Sequence, residues 1–258
     1  MTVIDVRAPG RHVPLDTVFN LRDLGGHRTT DGRRVALGRL YRSDGLHQLA
    51  GPDLDRVRSL GLRTVLDLRT TAELGDGVFP LAAHPAVLHH LPVLARTWVD
   101  DDEVGALADR STPYLVARYI DLLAEGGPAI ATAVRIMAED ESCPLVFHCA
   151  AGKDRTGVLA ALVLSALGVS DDDVAADYAL SADAMARRLS WLQQHQPEAA
   201  VLMARQPAGW LAAPAEAMHA LLAHLRRAHG GAAGYLTDQG VESLTIEGLS
   251  ARMLIQHG

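Results

Sequence analysis

An apolar run, Pro144-Leu145-Val146-Phe147-His148, passes directly into Cys149-Ala150-Ala151-Gly152-Lys153-Asp154-Arg155-Thr156-Gly157, and from there into an apolar stretch ending at Val169. Few folds accommodate such a passage. The first run reads as a buried strand and the last as a helix closed by Gly168. The loop between them aims its backbone N–H groups into a helix N-terminus, where anions bind. Ala150, Ala151 and Gly152 are small enough for the backbone to curl round a tetrahedral anion. Arg155 adds a planar fork that grips two phosphate oxygens at once. Cys149 sits at the strand end facing the same point, where the helix dipole, the loop amides and nearby cations stabilise a thiolate. The spacing therefore predicts a thiolate nucleophile beneath a bound phosphate. A Walker phosphate loop is excluded, because position 147 is Phe rather than Gly and Lys153 is followed by Asp154 rather than Ser or Thr.

The rest of the chain supplies the frame. Thr64 to Leu68 and Val87 to Val93 read as further strands, and Arg39 to Arg42 as a short one. Asp53 to Leu60 reads as a helix with Pro52 near its start and Gly61 past its end. Pro113 to Leu123 and Pro128 to Met137 have helical spacing, with Gly126-Gly127 expected to break them apart. Ser170 caps a helix whose first turn holds Asp171, Asp172 and Asp173. Its Val174, Tyr178, Met185, Leu189 and Leu192 can share one face. Pro214 to His229 is amphipathic, and two short helices follow. Strands separated by helices predict an α/β fold: a mainly parallel central sheet flanked by helices, with additional C-terminal helices. We expect one domain over 1–258, with about 170–258 a helical extension packed on it.

Composition removes other classes. The 258 residues are 48% hydrophobic and 21% charged, with a net charge of −7. Whole-chain disorder and nucleic-acid binding do not fit. The longest apolar run is too short to insert in a membrane. Two cysteines make no disulfide framework, and the N-terminus carries no signal-peptide pattern, so a cytoplasmic location is expected. Lysine occurs once, at Lys153, and asparagine once, at Asn20.

The segment His148 to Gly157 carries the Cys-x5-Arg signature. It resembles the phosphate loop of the cysteine-dependent phosphatase superfamily, and in particular the atypical bacterial and fungal tyrosine phosphatases. Phe19 to Gly26, Gly38 to Ser43, Val65 to Arg69, Asp177 to Ser181 and Gly234-Tyr235-Leu236 are similar to that family in the same order. The resemblance covers roughly residues 17 to 255, and both single-copy residues fall inside it. A rhodanese-type sulfur transferase also places a Cys in an anion loop, but its loop is normally shorter.

The resemblance implies hydrolysis of phosphotyrosine through a phosphocysteine, with phosphoserine, phosphothreonine and phosphoinositides as further substrates of the family. The alternatives are a phosphoinositide phosphatase and a phosphate-binding relative without turnover. No cofactor or metal is implied. The partner is a phosphorylated protein or lipid, and the oligomeric state stays open. Cys149 is the expected nucleophile. Ala150, Ala151, Gly152, Lys153, Arg155 and Thr156 are expected to hold the phosphate, Lys153 by adding charge for a second phosphate. Thr156 is positioned to donate its hydroxyl to the thiolate. Two candidates compete for the general acid: Asp154 in the loop, and the run Asp100, Asp101, Asp102 after Trp98 in a segment expected to cover the site. Asn20, Arg22 and Asp23 are expected to buttress the loop, with Asp67 supporting it from below. Arg42 and Arg69 are candidates for substrate contact or for surface ion pairs, and Cys143 for a structural role.

Overall fold

A computed structural model describes residues 11–97, 112–205 and 211–256. In chain order the strands are β1 (Arg22–Asp23), β2 (Arg34–Val35), β3 (Leu40–Ser43), β4 (Thr64–Asp67), β5 (Val87–His90), β6 (Leu145–His148) and β7 (Leu254–Ile255). The main sheet has the order β1-β3-β6-β4-β5, while β2 pairs with β7. Strands β3, β6, β4 and β5 run parallel, and β1 is antiparallel to β3. Leu145 stands opposite both Leu40 and Thr64, which puts β6 at the centre of the sheet.

Alternation along these strands feeds two cores. Leu40, Leu66, Leu145 and Phe147 enter the larger apolar cluster, while Tyr41, Val65 and Val146 enter a second cluster with Val57 and Leu62. A parallel sheet buried on both faces needs this division. The helices that cover it are α1 (Pro52–Ser59), α2 (Thr112–Met137), α3 (Asp154–Ala166), α4 (Asp171–His195), α5 (Pro197–Ala204), α6 (Ala215–His229), α7 (Ala232–Asp238) and α8 (Ser243–Met253). Helix α3 is buried nearly all round, consistent with its apolar sequence. Helix α4 begins as expected, with Ser170 Oγ accepting a hydrogen bond from Asp173 N at 3.2 Å. The α/β architecture, the parallel sheet and the C-terminal helices follow the sequence reading.

The expected break at Gly126-Gly127 does not occur, and α2 runs unbroken through Pro128. The two glycines serve close packing instead. A Cβ on Gly126 would lie 2.8 Å from Val93 O, and one on Gly127 would lie 2.0 Å from Gln239 Oε1. Pro128 removes one helix hydrogen bond, which costs about 3 kcal/mol. Burial of Leu122, Leu123, Ile130 and Val134 along the same helix offsets that cost.

Candidate active site

Cys149 emerges from the C-terminal end of the central strand β6 and is 2% exposed. The loop that follows has its carbonyls drawn outward. Ala150 O accepts from Gly45 N at 3.1 Å and from Arg188 Nη1 at 3.2 Å. Ala151 O and Gly152 O accept from Asn20 Nδ2 at 3.1 and 3.0 Å, and Gly152 O also accepts from Arg42 Nη2 at 2.9 Å. In a planar trans peptide the C=O and the next N–H point opposite ways. Outward carbonyls at 150, 151 and 152 therefore turn the amides of 151, 152 and 153 toward the hollow of the loop. The curl also requires a glycine. Gly152 has φ of +65°, and a Cβ there would lie 2.6 Å from Asp44 N and Ser43 O.

These anchors are themselves held. Asp44 accepts from Phe19 N and from Asn20 N at 2.9 Å, which fixes the turn carrying Asn20. Asp177 on α4 gathers Arg11 at 2.5 Å, Arg42 at 2.8 Å and Arg22 at 3.2 Å. Arg22 also reaches the Asn20 amide oxygen. Burial alone would push the Asp177 carboxyl up, but Arg22, His27, Arg42 and Arg11 hold it well below the usual carboxylate range. Arg22 is lowered to about 10 by burial and by Arg42. Three guanidiniums around one carboxylate leave a positive excess behind the loop, which favours an anion in front of it. Asn20 and Arg22 buttress the loop as expected. Asp23 instead fixes its own turn, accepting from Gly25 N and Gly38 N.

Arg155, in the first turn of α3, meets Glu73 through both Nη groups, at 2.5 and 2.8 Å. Burial lowers the affinity of this guanidinium for its proton, but Glu73 and then Cys149 raise it above the ordinary value. Glu73 is braced in turn by Thr70 N at 2.8 Å. Below it, Asp67 at the end of β4 binds Arg69 through both carboxylate oxygens, and Arg69 donates to Glu73 O and Gly77 O. Arg42 and Arg69 are thus neither substrate arginines nor surface ion pairs. They are 1% and 0% exposed; Arg42 ties Gly152 O to the Asp177 carboxylate, and Arg69 ties the Asp67 carboxylate to Glu73 O and Gly77 O. His148 Nδ1 lies 3.3 Å from Cys149 O, and its Nε2 is 3.8 Å from Asp67. Burial, opposed by Asp67, lowers its pKa to about 4, so it is neutral near pH 7.

Asp154 opens α3, with its side chain about one quarter exposed. Tyr119 of α2 donates to Asp154 Oδ1 at 2.6 Å and also meets the Tyr178 hydroxyl at 2.5 Å. Burial, then the charge of Asp154, raises both phenols, Tyr119 strongly. Both therefore stay protonated donors. Lys153 is buried, its ammonium donating to Ala212 O at 3.0 Å and lying 3.5 Å from Asp154 Oδ1. The Thr156 hydroxyl is buried with no hydrogen-bond partner among the described residues. Cys143 is a free, buried thiol, raised by that burial. Trp98, Asp100, Asp101 and Asp102, with the cover expected around them, lie outside the described residues.

A model of the tyrosine phosphatase family matches residues 13–255. The chain belongs to that family. Among curated relatives, a tyrosine-protein phosphatase of Cupriavidus necator is 38% identical over 177 aligned positions, gaps included, covering 66% of this chain and 63% of that protein. The triple specificity protein phosphatase PtpB of Mycobacterium tuberculosis is 29% identical over 276 aligned positions, gaps included, covering 93% of this chain and 98% of the relative. A tyrosine-protein phosphatase of Nostoc commune is 28% identical over 224 residues, covering 82% and 73%.

For this tyrosine phosphatase family member, the structure brings Cys149, the loop residues, Asp154, Arg155 and Thr156 together at one strand end. Sequence reasoning missed Glu73, Tyr119, Arg188 and the hub role of Asp177. Glu73 stood four residues after Arg69, in a stretch that was assigned no element. Tyr119 lay unremarked inside the helical spacing of Pro113 to Leu123. Among the described residues no helix is long and apolar enough to cross a membrane.

Proposed function

We propose that this chain hydrolyses phosphomonoesters on proteins, phosphotyrosine foremost, through a phosphocysteine intermediate. The observation that carries the reading is the inward-turned amide loop between Cys149 and an Arg155 whose remaining edge is open. The Cys149 thiolate attacks phosphorus in line, forming an S–P bond as the P–O bond to the leaving group breaks. Amides 151 to 153 and the Nε and Nη2 hydrogens of Arg155 hold the equatorial oxygens. Asp154 supplies the proton for the leaving oxygen. Tyr119 occupies its Oδ1, so Oδ2 carries that proton. In the second step Asp154 takes a proton from water, whose oxygen attacks phosphorus and releases the thiolate. The buried Thr156 hydroxyl donates to the departing sulfur. PtpB is named for triple specificity, and the same phosphate cradle fits phosphoserine and phosphothreonine.

The test is turnover of p-nitrophenyl phosphate in the presence of EDTA. Cys149→Ser is expected to abolish turnover while still binding vanadate, because the amide cradle remains. Near-normal turnover by Cys149→Ser would overturn the mechanism.

A further inference from the structure

On the outer side of the phosphate loop lies a half-open cavity of about 520 Å³, with Phe19, His47, Asp76, Arg188 and Trp191 among its lining residues. It shares a wall with the loop, because Arg188 donates to the carbonyl of Ala150, the residue after Cys149. Arg188 uses one Nη for that bond and keeps the rest of its fork for a ligand. The second donor is His47. Its Nδ1 lies 3.0 Å from Arg69 Nη1, and since arginine only donates, Nδ1 accepts. The ring proton therefore sits on Nε2. Burial, then Arg69, lowers the His47 pKa, so this tautomer persists near neutral pH.

The wall beside Arg188 is aromatic. Trp191 lies one helical turn beyond Arg188, with its ring 6.0 Å from Phe19 and stacked on His195 at 4.6 Å. An occupant needs an apolar stem for this wall and an acceptor for the two donors. A neutral apolar group would leave the Arg188 fork unpaired, and a cation would face it directly. Asp76 also lines the cavity, but it is exposed, so solvent screens its repulsion. One fixed cation with a carboxylate nearby suits a singly charged group better than a doubly charged phosphate.

We propose that this cavity is a substrate subsite that receives an aspartate or glutamate side chain close in sequence to the phosphotyrosine of a peptide. The subsite rests on the phosphatase reading given above and extends it to sequence preference.

The experiment compares kcat/KM of the full chain for phosphotyrosine peptides identical except for flanking glutamate, alanine or lysine. p-Nitrophenyl phosphate, which has no flank, is the reference. Glutamate should exceed alanine by about fivefold and lysine should fall below alanine, the size expected of one partly screened charge pair. Arg188→Gln should erase this order. Asp76→Asn should widen it by removing the competing carboxylate, and should leave p-nitrophenyl phosphate within about twofold. Trp191→Ala should lower only the peptide values. Equal rates for the three peptides, or a loss in Arg188→Gln confined to phosphoinositide substrates, would overturn the subsite. Absence of p-nitrophenyl phosphate turnover in the unaltered chain would instead overturn the phosphatase reading itself.

Discussion

Glu73 meets Arg155 along the Nη1–Nη2 edge of the guanidinium, at 2.5 and 2.8 Å. The fork is thereby aimed before any substrate arrives, and its Nε–Nη2 edge remains for phosphate. Glu73→Gln keeps the size but loses the charge that holds this aim. We expect kcat/KM for p-nitrophenyl phosphate to fall about 10–100-fold, the scale of a small misplacement at a reacting centre. Steady-state kinetics alongside a thermal melt checks this, the melt showing that the fold survives. An unchanged rate would mean that Arg155 finds its pose without Glu73.

Gly152→Ala should be worse than its size suggests. The added methyl would sit 2.6 Å from backbone atoms of Ser43 and Asp44, at a φ of +65°. Backbone cannot yield as a flexible side chain does, so the loop itself must open. Vanadate binding measured by calorimetry should be lost, while circular dichroism stays near that of the unaltered chain. Retained vanadate affinity would show that the loop tolerates another path.

Stability should depend on pH in two stages. His148 has a folded pKa of about 4, below the ordinary histidine value of 6.5. The unfolded chain therefore takes up this proton first. Stability is full above about pH 6.5 and declines as pH falls toward 4, by at most about 1.4 kcal/mol per pH unit for one histidine. His12, His47 and His84 are lowered too and act in the same direction. Below that range, Asp67, Glu73 and Asp177, all held under their ordinary values by arginines against their own burial, lose their contribution as they protonate. Urea unfolding from pH 7 to 3 measures both stages. His148→Gln should flatten only the first; an unchanged upper stage would assign it to the other histidines.

Asp154→Asn separates leaving groups. Phosphotyrosine needs a proton on its departing oxygen and should slow by about 10²–10⁴-fold. An activated aryl phosphate needs less help and should be affected far less. If both slow alike, Asp154 serves the loop rather than the proton, and Asp100, Asp101 and Asp102 become the residues to test.

Much of the site was legible because it is contiguous. Cys149 to Thr156 form one strand–loop–helix passage, and local rules for anion loops suffice to read it. The supports were not, because they come from distant segments. Glu73 is 82 positions from Arg155, and Asp177 is 166 from Arg11. No local pattern marks such pairs as partners. The break expected in α2 failed for a related reason. Glycine pairs signal turns in isolation, whereas here their missing side chains admit Val93 and Gln239 from elsewhere in the fold. Arg42 and Arg69 were misread because an arginine in sequence carries no sign of whether a carboxylate waits for it inside.

The chain has a single ε-amine, that of Lys153, and the folded protein keeps it 2% exposed, against the carbonyl of Ala212. Acylating reagents therefore meet no side-chain amine on the folded surface. The one they can reach becomes available only when the phosphate loop parts from the strand of chain ahead of α6. The pace of acylation at this residue, read by mass spectrometry, becomes a clock for local opening of the loop. A tightly bound oxyanion should slow that clock without touching the amine itself.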